Sequence, residues 1–360
     1  MQRAKRAKTH LAAIARVLRA MPAVVVCTLL PLMSLPSAAQ EVQVQYHRIG
    51  TGSTVGTYFP IGGLIASAVS KPPGSRDCAA GGSCGVPGLI AVAQSTRGSV
   101  ENVMGIAAGT LESGLSQADI SYWAYNGKGA FAKTGPIRKL RSVANLFPEA
   151  VHVVVRRNAG IETLADLRGK RVSLDREGSG TRVDALLILE AFGLGLGDIA
   201  AEALAAGDAA DRLRDGDLDA FIMVVGTPAT AILGLAEDSL ITLLPIAGPA
   251  AAGLRESYPF FHKDRIEAGT YFNVPATETL SVGAQWLVSA DLPDELVYGL
   301  TRALWHKNTR RLLDNGHPKG KVIRKVSALD GLVVPLHPGA RRYYGEADSP
   351  FPGLAPEKAK

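Results

Sequence analysis

Two short loops rich in Gly, Ser and Thr constrain this chain more than any other feature of its 360 residues. The first is Gly50-Thr51-Gly52-Ser53-Thr54-Val55-Gly56-Thr57, and the second is Gly178-Ser179-Gly180-Thr181. Each follows an apolar run and opens a helix-like one. A glycine loop feeding a helix N-terminus presents free backbone N–H groups and the positive end of the helix dipole. Ser and Thr add hydroxyl donors. One such loop is a weak signal. Two, on separate strand–helix halves, predict a cleft that holds an anion between two lobes.

Strand-like and helix-like runs alternate along the chain, which favours an α/β fold with mainly parallel sheets. The length favours two domains. Residues 42–49 alternate and predict a strand, and 58–70 a helix starting at the first loop. A helix is expected over 100–109 with Ser99 as its N-cap, a long strand within 143–156, and a short helix over 161–170. An amphipathic helix is expected over 180–192, a fully apolar strand over 220–225, a late strand over 280–288 and a long helix over 294–308. No internal repeat of fixed period is evident.

Residues 1–39 hold Arg3, Lys5, Arg6, Lys8, Arg16 and Arg19, then an apolar run over 23–35, then Ser37-Ala38-Ala39. That order predicts a secretory signal peptide cut after Ala39, hence a periplasmic protein. It also explains the net charge of +6: six of the 39 basic residues lie there with no acidic partner, which leaves 33 basic against 33 acidic beyond it. A chain so balanced has no basic stripe for nucleic acid. Cys27 leaves with the signal. Cys78 and Cys84 remain, an even pair in an oxidising compartment, and a disulfide between them is expected to pin the Gly/Pro-rich loop over 72–88. The rival, a metal site, lacks a second Cys pair or a His at ligand spacing.

Thr51, Gly52 and Ser53 on the first loop, and Ser179, Gly180 and Thr181 on the second, are the candidate anion donors. For each set the plainer alternative is a tight turn or an ordinary N-cap. Gly50, Gly52 and Gly56 nearly fit a dinucleotide fingerprint, but the third glycine is one position late. Ser99 and Asn102 sit three apart at a helix start, so Asn102 is placed to face the cleft. Gln117 and Asp119 lie just past the carboxyl end of a strand, where open α/β sheets bind ligands. Glu149 precedes a long strand that crosses between lobes; it would accept bonds from an α-amino group, or form a hinge ion pair. Tyr58, Trp123, Tyr125 and Tyr271 are wall candidates with packing as the alternative. His152 alternates on a core strand and is read as a satisfied core histidine. There is no Gly-x-Ser-x-Gly elbow, no His-Glu-x-x-His and no Gly-Lys-Ser/Thr loop, so an enzyme is not expected, nor a cofactor.

At this point a family resemblance appears. Residues 49–58 (IGTGSTVGTY), 84–89 (CGVPGL), 99–102 (SVEN), 117–119, 124–127 (AYNG), 146–155 (LFPEAVHVVV), 164–173 (LADLRGKRVS), 178–181 (GSGT), 215–221 (DGDLDAF), 268–271 (AGTY) and 332–344 (LVVPLHPGARRYY) follow one another in the order and spacing of one family. The chain resembles the TAXI family of TRAP-transporter solute receptors over about 48–346. The resemblance implies an α/β, two-lobe type II periplasmic binding-protein fold with the ligand in the interlobe cleft. On it, lobe one is 41–149 plus 281–360, lobe two is 150–280, and the hinge is near Glu149 and Leu280. It implies a small carboxylate ligand, glutamate-like or a dicarboxylate, a TRAP membrane permease as partner, and a monomer. Thr227 joins the ligand set where the family commonly carries larger or aromatic residues, and Ala118 stands where it often has Ser. The alternatives are an ABC-type binding protein of the same fold and a sensor module signalling to a membrane kinase.

Overall fold

The computed structural model describes residues 43–346. The expected export signal and Cys27 lie outside them. In chain order the main sheet takes β1 (Gln45–Gly50), β2 (Leu89–Gln94), β3 (Ser113–Gln117), β4 (Leu140–Arg156), β5 (Arg171–Ser173), β6 (Ala200–Glu202), β7 (Ala220–Val225), β8 (Ile241–Leu244), β9 (His262–Ile266) and β10 (Thr277–Ser289). The helices are α1 (Tyr58–Val69), α2 (Ser99–Ala108), α3 (Ala118–Asn126), α4 (Gly180–Ala191), α5 (Ala206–Asp215), α6 (Thr230–Glu237), α7 (Gly248–Ser257), α8 (Asp294–Leu304), α9 (Lys307–Gly316) and α10 (Pro338–Tyr344).

One strand order is used twice. In the first half β1 lies between β2 and β3, parallel to both. β10 follows β3, and β4 follows β10, each antiparallel to its neighbour. In the second half β5 lies between β6 and β7, parallel to both. β4 follows β7, and β8 follows β4, again antiparallel. Each half therefore reads second, first, third, crossing, fourth. β4 is shared: it pairs with β10 over Leu140 to Ala150 and with β7 over Ala150 to Val155. The chain is thus a mixed α/β molecule in which two halves of like strand order share one sheet.

The reasons are local. β7 (Ala-Phe-Ile-Met-Val-Val) is buried at all six positions, as a strand covered on both faces must be. The branched run Val151 to Val155 of β4 sits beside it. Three apolar clusters result. One joins α1, α8 and β10 around Trp286; one packs β7 on α5 and α6; a third runs from α2 and α3 to α4 and α7. His152 is satisfied, with Nδ1 2.9 Å from the Ala150 carbonyl and Nε2 3.0 Å from the Tyr271 hydroxyl.

Several sequence expectations are corrected. The sheet is mixed, not mainly parallel, because the strands that cross between halves run against their neighbours. The helix expected at 100–109 starts one residue earlier, with Gly98 at its N-cap and φ +118°; the Ser99 side chain turns to Gln117 instead. The helix expected at 294–308 breaks after Leu304, and the His306 ring caps α9 by accepting the Asn308 N–H at 3.1 Å. At 161–170 only a short 3₁₀ turn forms, Leu164–Leu167, held by a Thr163–Asp166 capping box. The Cys78–Cys84 disulfide is present, S–S 2.01 Å. With both sulfurs so engaged, the nearby His306 (3.8 Å from Cys78 Sγ) has no thiolate partners for a metal.

Candidate functional site

Four helices aim their N-termini at one space between the halves. Residues at the starts of α1 (Thr57, Tyr58), α2 (Gly98, Ser99), α4 (Ser179, Gly180, Thr181) and α5 (Ala206) line a cavity of about 60 Å³. Each dipole places partial positive charge there. The cleft is shut over it by three hydrogen bonds between halves. The Glu101 N–H donates to the Gly178 carbonyl at 2.9 Å. The Thr57 hydroxyl donates to the Gly226 carbonyl at 2.9 Å, and Gln117 Nε2 to Asp184 Oδ2 at 2.8 Å. So small a space lies below the range typical of ligand pockets.

The donors differ in what they have left. Ser53 lines the cavity and its hydroxyl has no hydrogen-bond partner among the described residues. Thr181 accepts from the Val224 N–H at 3.1 Å, which leaves its own proton free. Ser179 is occupied: it caps α4 by accepting from the Arg182 N–H at 3.3 Å and donates to Asp175 at 2.8 Å. Its contribution to the cavity is therefore the backbone around it. Arg97 and Arg176 add guanidinium charge at the rim. Gly180 permits the close approach, because a Cβ there would lie 1.5 Å from Gln117 Oε1 of the other half.

Acids form the floor. The Tyr58 hydroxyl donates to Glu149 Oε2 at 2.5 Å, and both side chains are buried. Burial pushes the Glu149 carboxyl up to about 8 against the Tyr58 bond, with Asp119 adding to the rise. Lys319, itself lowered by burial, opposes the rise. Behind the floor the buried carboxyls of Asp119 and Asp184 meet across the halves. Burial raises both, and the neighbouring Asp119 raises Asp184 further.

Of the expected residues, Gly52, Ser53, Tyr58, Ser99, Gln117, Glu149, Ser179, Gly180 and Thr181 come together around the cavity. Thr51, Asn102, Asp119 and Thr227 do not line it. The Thr51 hydroxyl donates to the Gln94 carbonyl at 2.7 Å. Asn102 Nδ2 donates to the Thr51 and Leu115 carbonyls, both at 2.7 Å, so it ties the first loop to β3 from behind. Thr227, before a cis proline, is not among the residues that line it. Trp123 lines a different cavity and Tyr271 is bonded to His152. Arg97, Arg176 and Asp184 carry no sequence signal of their own, and Thr57 is visible only as the end of the first loop; the bonds of Thr57 to Gly226 and of Asp184 to Gln117 join residues distant in sequence.

The chain belongs to the NMT1-like family, whose model matches residues 49–347. Solved structures similar to it include the alkanesulfonate-binding protein SsuA from Xanthomonas axonopodis pv. citri bound to MOPS (16% identity, 75% of this chain and 74% of that one, TM-score 0.46). Another is PhnD1 from Prochlorococcus marinus in complex with methylphosphonate (12% identity, 80% and 94%, TM-score 0.48). A third is MatC from Rhodopseudomonas palustris with bound malate (13% identity, 77% and 89%, TM-score 0.48).

Proposed function

We propose that this protein is an exported solute receptor that captures a small carboxylate between its lobes and delivers it to a TRAP membrane permease. The observation that carries the reading is the convergence of four helix N-termini on one interlobe cavity that also holds a free Ser53 hydroxyl, a donating Thr181 hydroxyl and Glu149. An anion gains from fixed donors and dipoles there without reorganising them. Glu149 lines the same cavity and suits the ammonium of a glutamate-like amino acid. The lobes would be 41–149 plus 281–360 and 150–280, hinged where β4 changes partner. Closure follows from stronger contacts to the ligand in the closed form, and the permease reads the closed shape. The order of motifs shared with TAXI receptors supports the TRAP assignment. The basic, apolar, small-residue order of 1–39 supports export to the periplasm.

Mass spectrometry of the small molecules released on denaturing natively purified protein tests this. A carboxylate at close to one per chain is the expected result, and isothermal titration with it should saturate at one site. Recovery of an uncharged or cationic ligand would overturn the reading.

A further inference from the structure

A second cavity, about 740 Å³, lies on the other side of the strands that cross between the lobes. Pro148 lines it while the next residue of β4, Glu149, lines the cleft, and successive strand residues point to opposite faces. Its wall is aromatic. Trp123 of α3 and Phe260, in the segment after α7, meet edge to face at 5.2 Å, and Tyr122 lies 6.0 Å from Phe260. Its floor is polar. It takes in the hydroxyl of Ser281, a residue only 4% exposed, and the half-buried carboxamide of Asn145, and neither side chain makes a hydrogen bond among the described residues. Both groups face the cavity with hydrogen-bonding capacity unspent inside the protein, and a ligand's polar group would take it up. At the mouth Lys128 and Asp330 bring opposite charges that offset each other.

We infer that this cavity is a second ligand site, for an uncharged planar aromatic molecule carrying one hydrogen-bonding group. The rings stack or meet the edges of its faces, the volume falls in the range of small-molecule pockets, and Ser281 and Asn145 take up the polar group. Trp123 comes from the first half of the chain and Phe260 from the second, so the occupant bridges both.

N-phenyl-1-naphthylamine, uncharged and bearing one N–H, is the probe, titrated by its fluorescence into the whole exported protein. Wild type should saturate. Phe260→Ala, which removes wall, and Ser281→Leu, which fills the floor and removes the hydroxyl, should each bind about tenfold more weakly or less well still. Circular dichroism and thermal melts establish that each variant is folded; if Phe260→Ala does not fold, Ser281→Leu decides alone. A signal that rises without saturating, or a folded variant that titrates like wild type, overturns the site.

Discussion

Ser53 and Thr181 keep hydroxyl protons free for an anion, whereas Ser179 gives its own to Asp175. Ser53→Ala and Thr181→Ala are each expected to cost about 1.5–3 kcal/mol of binding, roughly 10- to 100-fold in affinity, as for a hydrogen bond to a charged group. Ser179→Ala should instead lower stability by about 1 kcal/mol, the usual value of a cap, and leave affinity within a few-fold. Titration calorimetry and thermal melts on the three variants separate the two behaviours; equal affinity in all three would remove the anion site. Glu149 supplies a second test. Held at about 8 by burial, it is largely protonated at neutral pH and must release its proton to meet an ammonium. Binding of an amino acid at pH 7 should therefore release close to one proton, read as a buffer-dependent heat. Glu149→Gln should abolish that dependence and weaken an amino acid far more than a keto acid. The sequence made these residues visible because a loop before a helix is a local pattern. It could not separate Asn102 from Ser53, since Asn102 is engaged by carbonyls of residues 51 and 115, and no local pattern reports such a pairing.

α4 depends on its first residue being small. Gly180 lies where Gln117 of the other half arrives, and a Cβ there would overlap Gln117 Oε1. Alanine is the better helix former by about 1 kcal/mol, so Gly180→Ala should not loosen α4 itself. It should hold the halves apart. Small-angle scattering is expected to show a larger radius of gyration with ligand for Gly180→Ala than for wild type, with weaker binding. Gln117→Ala in the same chain should relieve the overlap. An unchanged radius would mean that the halves do not meet there. Elements with strong local patterns were legible: α1, α4 and β7 fall within a residue or two of their expected bounds. The break between α8 and α9 was not, because the run of helix formers continues through it and the stop is set by His306 capping the next helix. The antiparallel course of the crossing strands was hidden for the same reason, since direction is a property of pairing and not of the strand's own residues.

Across the whole molecule, three buried acids make the closed form pH-sensitive. Glu149, Asp119 and Asp184 are all raised by burial. In the opening proposed above, water reaches them and they return toward ordinary carboxylate values. A raised acid favours the state that buries it while the pH is low, and that preference fades as pH climbs through the raised value. The ligand-free protein should be most compact near pH 5 and should expand as pH rises toward and past about 8, the value at Glu149. Scattering across that range checks it, and a radius that shrinks with rising pH would reverse the assignment. The shared strand has a different consequence, for order in time. β5, β6, β7 and β8 all lie between the residues that build the first half, whose β3 must pair 113–117 with 284–288 of β10. Closing so long a loop costs more conformational entropy than the short closures within the second half. Pulse-labelled hydrogen exchange during refolding should therefore protect amides of Ala220–Val225 before those of Ser113–Gln117. On the ribosome the same ordering is enforced by synthesis: the interrupted half waits, incomplete, for a strand that emerges only after the interrupting half has been made.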